Sequence, residues 1–381
     1  MTRSERERLT PKRKKHSYYD YSLLFLTLFL VCFGLVMIYS TSSFNSQRLF
    51  DNPTYFLKKQ AFAVLLGIAA MLVVSKIDYR IYIKKLPIIR IRPVTLLYIL
   101  SVVLQILVLI IGDEINGAKR WIDLGFTGFQ PSDISKVATI LFVAYVVNTA
   151  PRRLDKINGF FRIAVYMAPL LGLIAKENLS TAIVIAGIMI SICFVASRKK
   201  LYFIVVGLLV IAVGSIYIFG VGYRSERVDV WRNVETHEKG FQILQGLFAI
   251  ASGGIFGTGL GESMQKLGFI PEAHNDMIFT IICEELGLFG ATAVILLFLL
   301  LIWRLFIIAI NAPDLFGGLI AVGVLAHIAI QVILNIAVVT NSIPSTGVPL
   351  PFISYGGTSV SVLLAEIGIA LSVSGQIKNE R

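Results

Sequence analysis

The chain has 381 residues, 56% of them hydrophobic and only 15% charged, with a mean hydropathy of +0.78 and a formal net charge of +12. Soluble domains carry about a quarter charged residues, so one aqueous core could not hide this much apolar surface, and a polytopic membrane protein is the class that remains. The positive balance does not indicate nucleic acid, because Lys and Arg cluster between apolar runs as topology signals do and no aromatic-interleaved basic patch is present. Cys32, Cys193 and Cys283 all lie inside apolar runs, and histidines 16, 237, 274 and 327 have no metal-ligand spacing, so neither a disulfide framework nor a metal cluster is indicated.

In chain order, residues 1–19 read as a disordered basic cytoplasmic tail near anionic headgroups. The apolar run from Tyr21 to Ser40 exceeds a signal-peptide core and ends in no small-residue cleavage site, which makes it an uncleaved first span. About 20 apolar residues cross a bilayer, and candidate spans fall at 20–41, 56–75, 94–112, 131–149, 160–176, 179–197, 201–220, 276–309, 315–340 and 357–377. The fourth is the weakest, with Asp133 and Lys136 in its first turn. The eighth is over-long and carries Glu284 and Glu285 near Gly287 and Gly290, so a tilt, a kink or a buried polar face is expected there. With the N-terminus cytoplasmic, the inner segments and tails hold 23 of the 35 Lys and Arg against 11 outside, the orientation that the positive-inside rule favours. The expected fold is an all-α polytopic membrane protein of ten transmembrane helices with both termini cytoplasmic. The membrane domain is 20–377, its large extracytoplasmic loop 221–275 lies between helices 7 and 8, and 378–381 is a short cytoplasmic tail.

The distinctive polar loops, 113–130, 221–275 and 341–356, all fall on the outer face in this topology. In the first, Pro131 suits the first turn of a helix and Lys136 follows inside the bilayer zone, where an unpaired ammonium costs about 2.5–3.5 kcal/mol. Asp133, three residues back, offers a local ion pair; a bound anionic headgroup held by Lys136 and Arg120 is the functional alternative. Lys176 to Thr181 reads as a tight polar elbow. In the large loop, residues 241–252 (FQILQGLFAIAS) suit a helix at the interface or packed on the bundle. The glycine-rich run 253–261 lacks the preceding strand and following Lys-Ser/Thr of a phosphate loop and reads as a tight path between helices. Residues 342–359 are apolar yet hold three prolines and three glycines. Irregular backbone at a membrane boundary survives when buried or lining a cavity, so Pro349, Pro351, Ser354, Gly356 and Gly357 are assigned to a rigid re-entrant wall. Pro271-Glu272-Ala273-His274-Asn275-Asp276 closes the longest polar segment at the mouth of an apolar run. An acid there complements a helix dipole, but its company of His274 and Glu272 and the cavity-forming loops on the same face make Asp276 the first candidate for a catalytic carboxylate.

NGAKRWIDLG and QPSDISK, GFQILQ, GTGLGESMQKLGFIPEAHNDMIFTIICEELG and IPSTGVPLPFISYGGTS resemble, in order and spacing, motifs of the SEDS family of shape, elongation, division and sporulation proteins. The resemblance covers all but the basic tail. The PEAH and ENLST segments lean toward the FtsW/SpoVE branch, with RodA the second choice. It implies a ten-helix peptidoglycan glycosyltransferase of the bacterial cytoplasmic membrane that polymerises lipid II outside, in cell division or elongation, with a class B penicillin-binding protein and divisome or elongation-complex proteins as partners. The family's catalytic aspartate falls on Asp276, its motif lysine on Lys136, its motif arginine on Arg120, and its Arg-rich loop start on Arg224 and Arg227. The motif's Glu is the shorter Asp133 here, and the acid common in the elbow is Asn178.

Inverting transfer needs a base for the acceptor hydroxyl and charge stabilisation for the departing diphosphate. Asp276 is assigned as base, or as ligand of a divalent cation (Mg or Mn), no cofactor being certain. Lys136, Arg120, Arg227 and His274 are the expected substrate or diphosphate contacts. The rival readings are a lipid II flippase, with Lys136, Glu284, Glu285 and Glu366 as pathway residues, and a scaffold that recruits a synthase.

Overall fold

The computed structural model describes residues 16–87, 90–115, 118–123, 128–205, 207–209, 212 and 222–379. Its long helices are α1 (Tyr21–Phe50), α2 (Tyr55–Lys76), α3 (Pro93–Ile111), α4 (Pro131–Thr149), α5 (Ile157–Glu177) and α6 (Leu179–Ala196), then α9 (Ile278–Asn311), α10 (Leu315–Val339) and α11 (Thr358–Gly375). Between α6 and α9 lie the short helices α7 (Gly222–Arg232) and α8 (Phe241–Ser252). Among the described residues eight helices are long and apolar enough to cross a membrane. They correspond to eight of the ten expected spans. Expected span 131–149 is present as α4 but is not among the eight, because Asp133, Lys136 and its small polar residues dilute it. Expected span 201–220 lies largely outside the described residues.

Helix α11 is the most enclosed, with 67% of its apolar window buried, and α10 follows at 56%, so these two form the axis of the bundle. Small residues let α11 approach α2 closely: a Cβ on Gly67 would lie 2.8 Å from the Ser361 Cα, and one on Gly368 2.6 Å from the Met71 carbonyl oxygen. Ser361 Oγ donates to the Ala63 carbonyl at 2.6 Å across the same seam. In a lipid solvent, such close backbone approach and interhelical hydrogen bonds replace the hydrophobic effect as the force between helices.

The two ends of the bundle differ. At one, β1 (His16–Tyr18) pairs antiparallel with β5 (Ile377–Asn379), His16 opposite Asn379 and Tyr18 opposite Ile377. Residues 16–18 and 378–379, assigned by sequence to the tails, therefore form a ladder joining both ends of the domain; residues 1–15 lie outside the described residues. Asp20 caps α1 by accepting from the Leu23 amide, and the Arg304 guanidinium reaches its carboxylate at 2.7 Å while also donating to the Tyr18 hydroxyl. At the same end, Tyr79 and Arg80 both donate to Asp314 at the start of α10, and Arg92 donates to the Tyr145 hydroxyl.

At the opposite end the outer loops are built into structure. Within 113–130, expected as a loop, the described residues form a small antiparallel sheet: β2 (Asp113–Ile115), β3 (Ala118–Asp123) and β4 (Gly128–Phe129), in the order β2-β3-β4. The Trp121 ring covers Gly128, which has no Cβ to keep it away. The elbow between α5 and α6 is a single residue, Asn178, whose side chain accepts from the Thr181 amide and caps α6. Helix α8 packs on the bundle through Ile243, Gly246 and Ala249, leaving Phe241 and Phe248 exposed. The glycine run is the expected tight path, with positive φ at Gly254, Gly257, Gly259 and Gly261. It lies against a break in α9 at Gly287 (φ 66°, ψ −167°), where a Cβ would meet the Gly257 amide nitrogen at 2.4 Å. This is the kink expected of the over-long eighth span.

Candidate active site

The last loop, assigned by composition to a re-entrant wall, lines a cavity with residues 347–352, Ser354 and Gly356. Between α10 and α11 the backbone is irregular, yet Val348, Leu350, Phe352, Ile353 and Ser354 are buried. Buried irregular backbone must find hydrogen-bond partners. Gln60, buried on α2, supplies them: its Oε1 accepts from the Gly356 and Gly357 amides at 3.2 and 3.0 Å, and its Nε2 approaches the Ser354 carbonyl at 3.4 Å. Ser354 Oγ accepts from the Leu350 amide at 2.8 Å. Phe352 and Gly357 take positive φ to make the bends, and Gly34 on α1 lets the loop pass with the Phe352 carbonyl 2.5 Å from where a Cβ would sit.

Asp276 sits two residues before α9, half-buried against this wall, its Oδ2 3.9 Å from the position a Cβ on Gly347 would take. Asn335, buried on α10, donates to both the Asp276 carbonyl at 2.8 Å and the Val348 carbonyl at 2.9 Å, so one amide group joins the acid's backbone to the wall. Burial pushes the Asp276 carboxyl above the ordinary carboxylate range; its own backbone amide opposes this, the nearby Glu272 adds to it, and the Arg227 guanidinium opposes it. Glu272 itself holds a positive φ of 48° at the turn.

Arg227, on α7, donates to the Ser345 carbonyl at 3.2 Å, and Trp231 Nε1 donates to the Asn341 carbonyl at 2.9 Å, pinning α7 to the wall. Arg120, on β3, donates to the Glu177 carbonyl at 2.9 Å, while the Lys119 amide donates to the Glu177 carboxylate. Arg120 and Arg227 thus line one cavity of about 240 Å³, with apolar walls from Leu179, Ile183 and Leu334. The Arg224 side chain lies outside the described residues.

Lys136 forms the expected local ion pair with Asp133, 2.8 Å apart, and the Ser359 hydroxyl donates to the other Asp133 oxygen. These groups line a neighbouring cavity of about 80 Å³ that shares Asn178 with the first and is walled by residues 347–352, Ser354 and Gly356. It runs inward to His327 and Glu366, whose side chains are hydrogen-bonded at 2.9 Å. The structure therefore groups Asp276, Arg227 and Arg120 around the wall, with Lys136 beside them. His274 stands apart. Its ring lies between Phe56 (centroids 4.4 Å) and Tyr355 (5.4 Å), beside a separate cavity of about 530 Å³ with Arg48 and Glu272. Burial drives its pKa down to about 4 against the opposing pull of Glu272, so the imidazole is neutral near pH 7.

The remaining acids of the flippase reading have partners. Glu285 accepts from Lys266 Nζ at 2.9 Å and from Ser40 Oγ at 2.6 Å, and Glu284 accepts from the Met264 amide at 3.0 Å and from Ser263. They anchor the glycine-rich loop to α9. Gln60, Asn335 and Ser359 were not singled out by sequence reasoning. The first two carried a readable signal, since each is an amide side chain stranded within an expected span.

These features define a multi-pass, helical membrane protein with a polar, cation-flanked carboxylate site concentrated at one end of the bundle. The chain belongs to the FtsW, RodA and SpoVE family, described as "Cell cycle protein", whose model matches residues 21–379. It is 36% identical to stage V sporulation protein E of Bacillus subtilis (strain 168), over 93% of this chain and 96% of that one. It is 37% identical to the probable peptidoglycan glycosyltransferase FtsW of Trichlorobacter lovleyi, over 94% of each. Among solved structures it resembles one described as showing structural coordination of polymerization and crosslinking by a peptidoglycan synthase complex (TM-score 0.76, 27% identity, 93% of this chain and 97% of that one). It also resembles the rod shape determining protein RodA of Thermus thermophilus (TM-score 0.68, 26% identity, 95% and 98%).

Proposed function

We propose that the protein is a peptidoglycan glycosyltransferase that polymerises lipid II at the outer face of the bacterial cytoplasmic membrane, in septal synthesis, with a class B penicillin-binding protein as partner. The observation that carries this reading is the half-buried Asp276 carboxylate beside Arg227, against a rigid wall and next to a cavity whose other cation is Arg120. The names of the FtsW relatives and of the synthase complex support it. The acceptor sugar's 4-hydroxyl attacks the anomeric carbon of the donor as the bond to the diphosphate breaks, inverting that centre. Asp276 takes the hydroxyl proton, and Arg227 and Arg120 stabilise the charge that develops on undecaprenyl diphosphate. Apolar walls between the two arginines let the polyprenyl chain stay in lipid while its head enters. The Lys136–Asp133 pair borders the site and holds its inner floor. A neutral His274 suits packing under the Pro271–Asp276 turn better than holding a diphosphate.

Among the described residues no group of three or more His, Cys, Asp or Glu could hold a metal ion. A divalent cation at Asp276 would therefore take the substrate's phosphate oxygens among its ligands, as Mg commonly does.

Ten crossings with both ends cytoplasmic complete the reading. The pairing of β1 with β5, which brings the two ends of the described domain together, supports an even number of crossings. Among the described residues the eight qualifying helices and α4 make nine, and the proposed tenth crossing is assigned to 201–220 on its apolar sequence alone. The basic character of that face supports its cytoplasmic assignment.

The test uses purified protein, with and without its penicillin-binding partner, given lipid II and assayed for polymer. Polymer from the wild type and none from a folded Asp276→Asn variant is the expected result. Normal polymer from that variant would sink the assignment of Asp276, and lipid transbilayer movement without polymer would favour the flippase reading.

A further inference from the structure

The basic end of the bundle holds a cavity that glycosyl transfer does not use. It lies where α4 ends, at the far end of that helix from Asp133 and Lys136, and measures about 300 Å³. Phe142, Val146 and Ile163 give it apolar walls, and Arg153 and Arg162 stand at its rim. The corner that shapes it is tightly made. The 3-10 turn Pro151–Asp155 passes so near the start of α5 that a Cβ on Gly159 would lie 2.0 Å from the Arg153 carbonyl oxygen. Glycine at 159 is thus what lets Arg153 and Arg162 share one pocket.

What sets Arg153 and Arg162 apart from the other basic residues of this face is that both line the cavity. Arg92 stacks 5.0 Å over the Tyr145 ring and donates to its hydroxyl. The Asp155 carboxylate accepts from the Arg198 amide at 3.1 Å. The exposed guanidinium groups of Arg153 and Arg162 have no ion-pair or hydrogen-bond partner among the described residues. The outer face of α5 beside them is apolar and uncovered, with Phe161 68% and Val165 51% exposed, as suits contact with acyl chains. Two unengaged cations at a membrane-surface level, above apolar walls that open toward lipid, match a molecule with an anionic head and hydrocarbon tails.

We infer that the α4–α5 corner, through Arg153 and Arg162, is a binding site for an anionic glycerophospholipid of the leaflet on the terminal face. The guanidinium groups take the headgroup phosphate, and the apolar walls take the first carbons of an acyl chain. A free phosphate would use only the rim and leave those walls without an occupant. The inference is independent of the reaction at the opposite face.

Full-length protein in mixed nanodiscs of phosphatidylglycerol and phosphatidylcholine, released into native mass spectrometry, tests it by the lipids that stay bound. Each arginine in contact with the bound headgroup is expected to be worth about fivefold in affinity, so the paired Arg153→Ala/Arg162→Ala variant should lose on the order of 30-fold of the preference for phosphatidylglycerol. The control pair Arg198→Ala/Lys199→Ala, on the same face but outside the cavity, should keep it. Equal retention of the two lipids by the wild type would overturn the site. So would an undiminished preference in the Arg153/Arg162 variant, an equal loss in the control, or displacement of the lipid by soluble glycerol phosphate. Both arginines are exposed, so folding should be unchanged, and the thermal transition of each variant checks this.

Discussion

At the scale of single residues the site turns on a carboxylate whose surroundings raise its affinity for a proton. The base proposed at Asp276 must be deprotonated to act, so activity should fall as the pH drops through its raised pKa. The acid limb of the kcat/KM profile is expected above the ordinary carboxylate range. Stability carries the opposite sign. A carboxyl with a raised folded pKa contributes stability that is present below its unfolded pKa and lost as the pH rises through the folded one. Asp276→Asn should therefore remove the activity and flatten that part of the stability profile together. An acid limb at or below the ordinary value would show that burial does not control this group. Asp276 was legible in the sequence because a carboxylate at the mouth of an apolar run is conspicuous. His274 was read with it from adjacency alone, and adjacency in a turn does not say which way a ring faces; Phe56 and Tyr355, distant in sequence, decide that.

At the scale of elements, two supports of the site can be loosened without touching it. Lys266→Ala leaves Glu285 buried and without its cation, which should cost about 3–5 kcal/mol; an apolar pair, Lys266→Met with Glu285→Leu, should recover most of that in thermal unfolding of the detergent-solubilised protein. Gln60→Leu leaves the Gly356 and Gly357 amides without their acceptor, at about 1–3 kcal/mol each, and should lower polymerisation by more than the fraction of protein unfolded. The break in α9 is equally specific. Gly287→Ala puts a side chain into a conformation that costs about 1–3 kcal/mol and against the Gly257 backbone, so its loss of stability should exceed that of Gly172→Ala, where a Cβ meets nothing. The long helices and the kink could be read from apolar length and from Glu284, Glu285 and Gly287. The β2-β3-β4 sheet could not, because its strands are two to six residues long and alternate too briefly to separate from a loop.

At the scale of the whole molecule, the proposed orientation is one that labelling can check. With the native cysteines replaced, a single cysteine at Glu272 should react with a membrane-impermeant maleimide on intact cells, and one at Lys199 only after permeabilisation. The reverse pattern would invert the topology. The bundle as a class was legible in composition and charge; which helices form its axis was not, since α10 and α11 are no more apolar than their neighbours and owe their enclosure to small residues at the seams. The double grip of Asn335 has a mechanical consequence for that bundle. Because one amide holds both the backbone of Asp276 and the wall at Val348, acid and wall are a single rigid leaf carried by α10. With Asp276 as the proposed base, a growing glycan that pushed the wall aside to advance by one sugar would drag that base away from its target in the same stroke, so translocation and bond formation would not overlap in time.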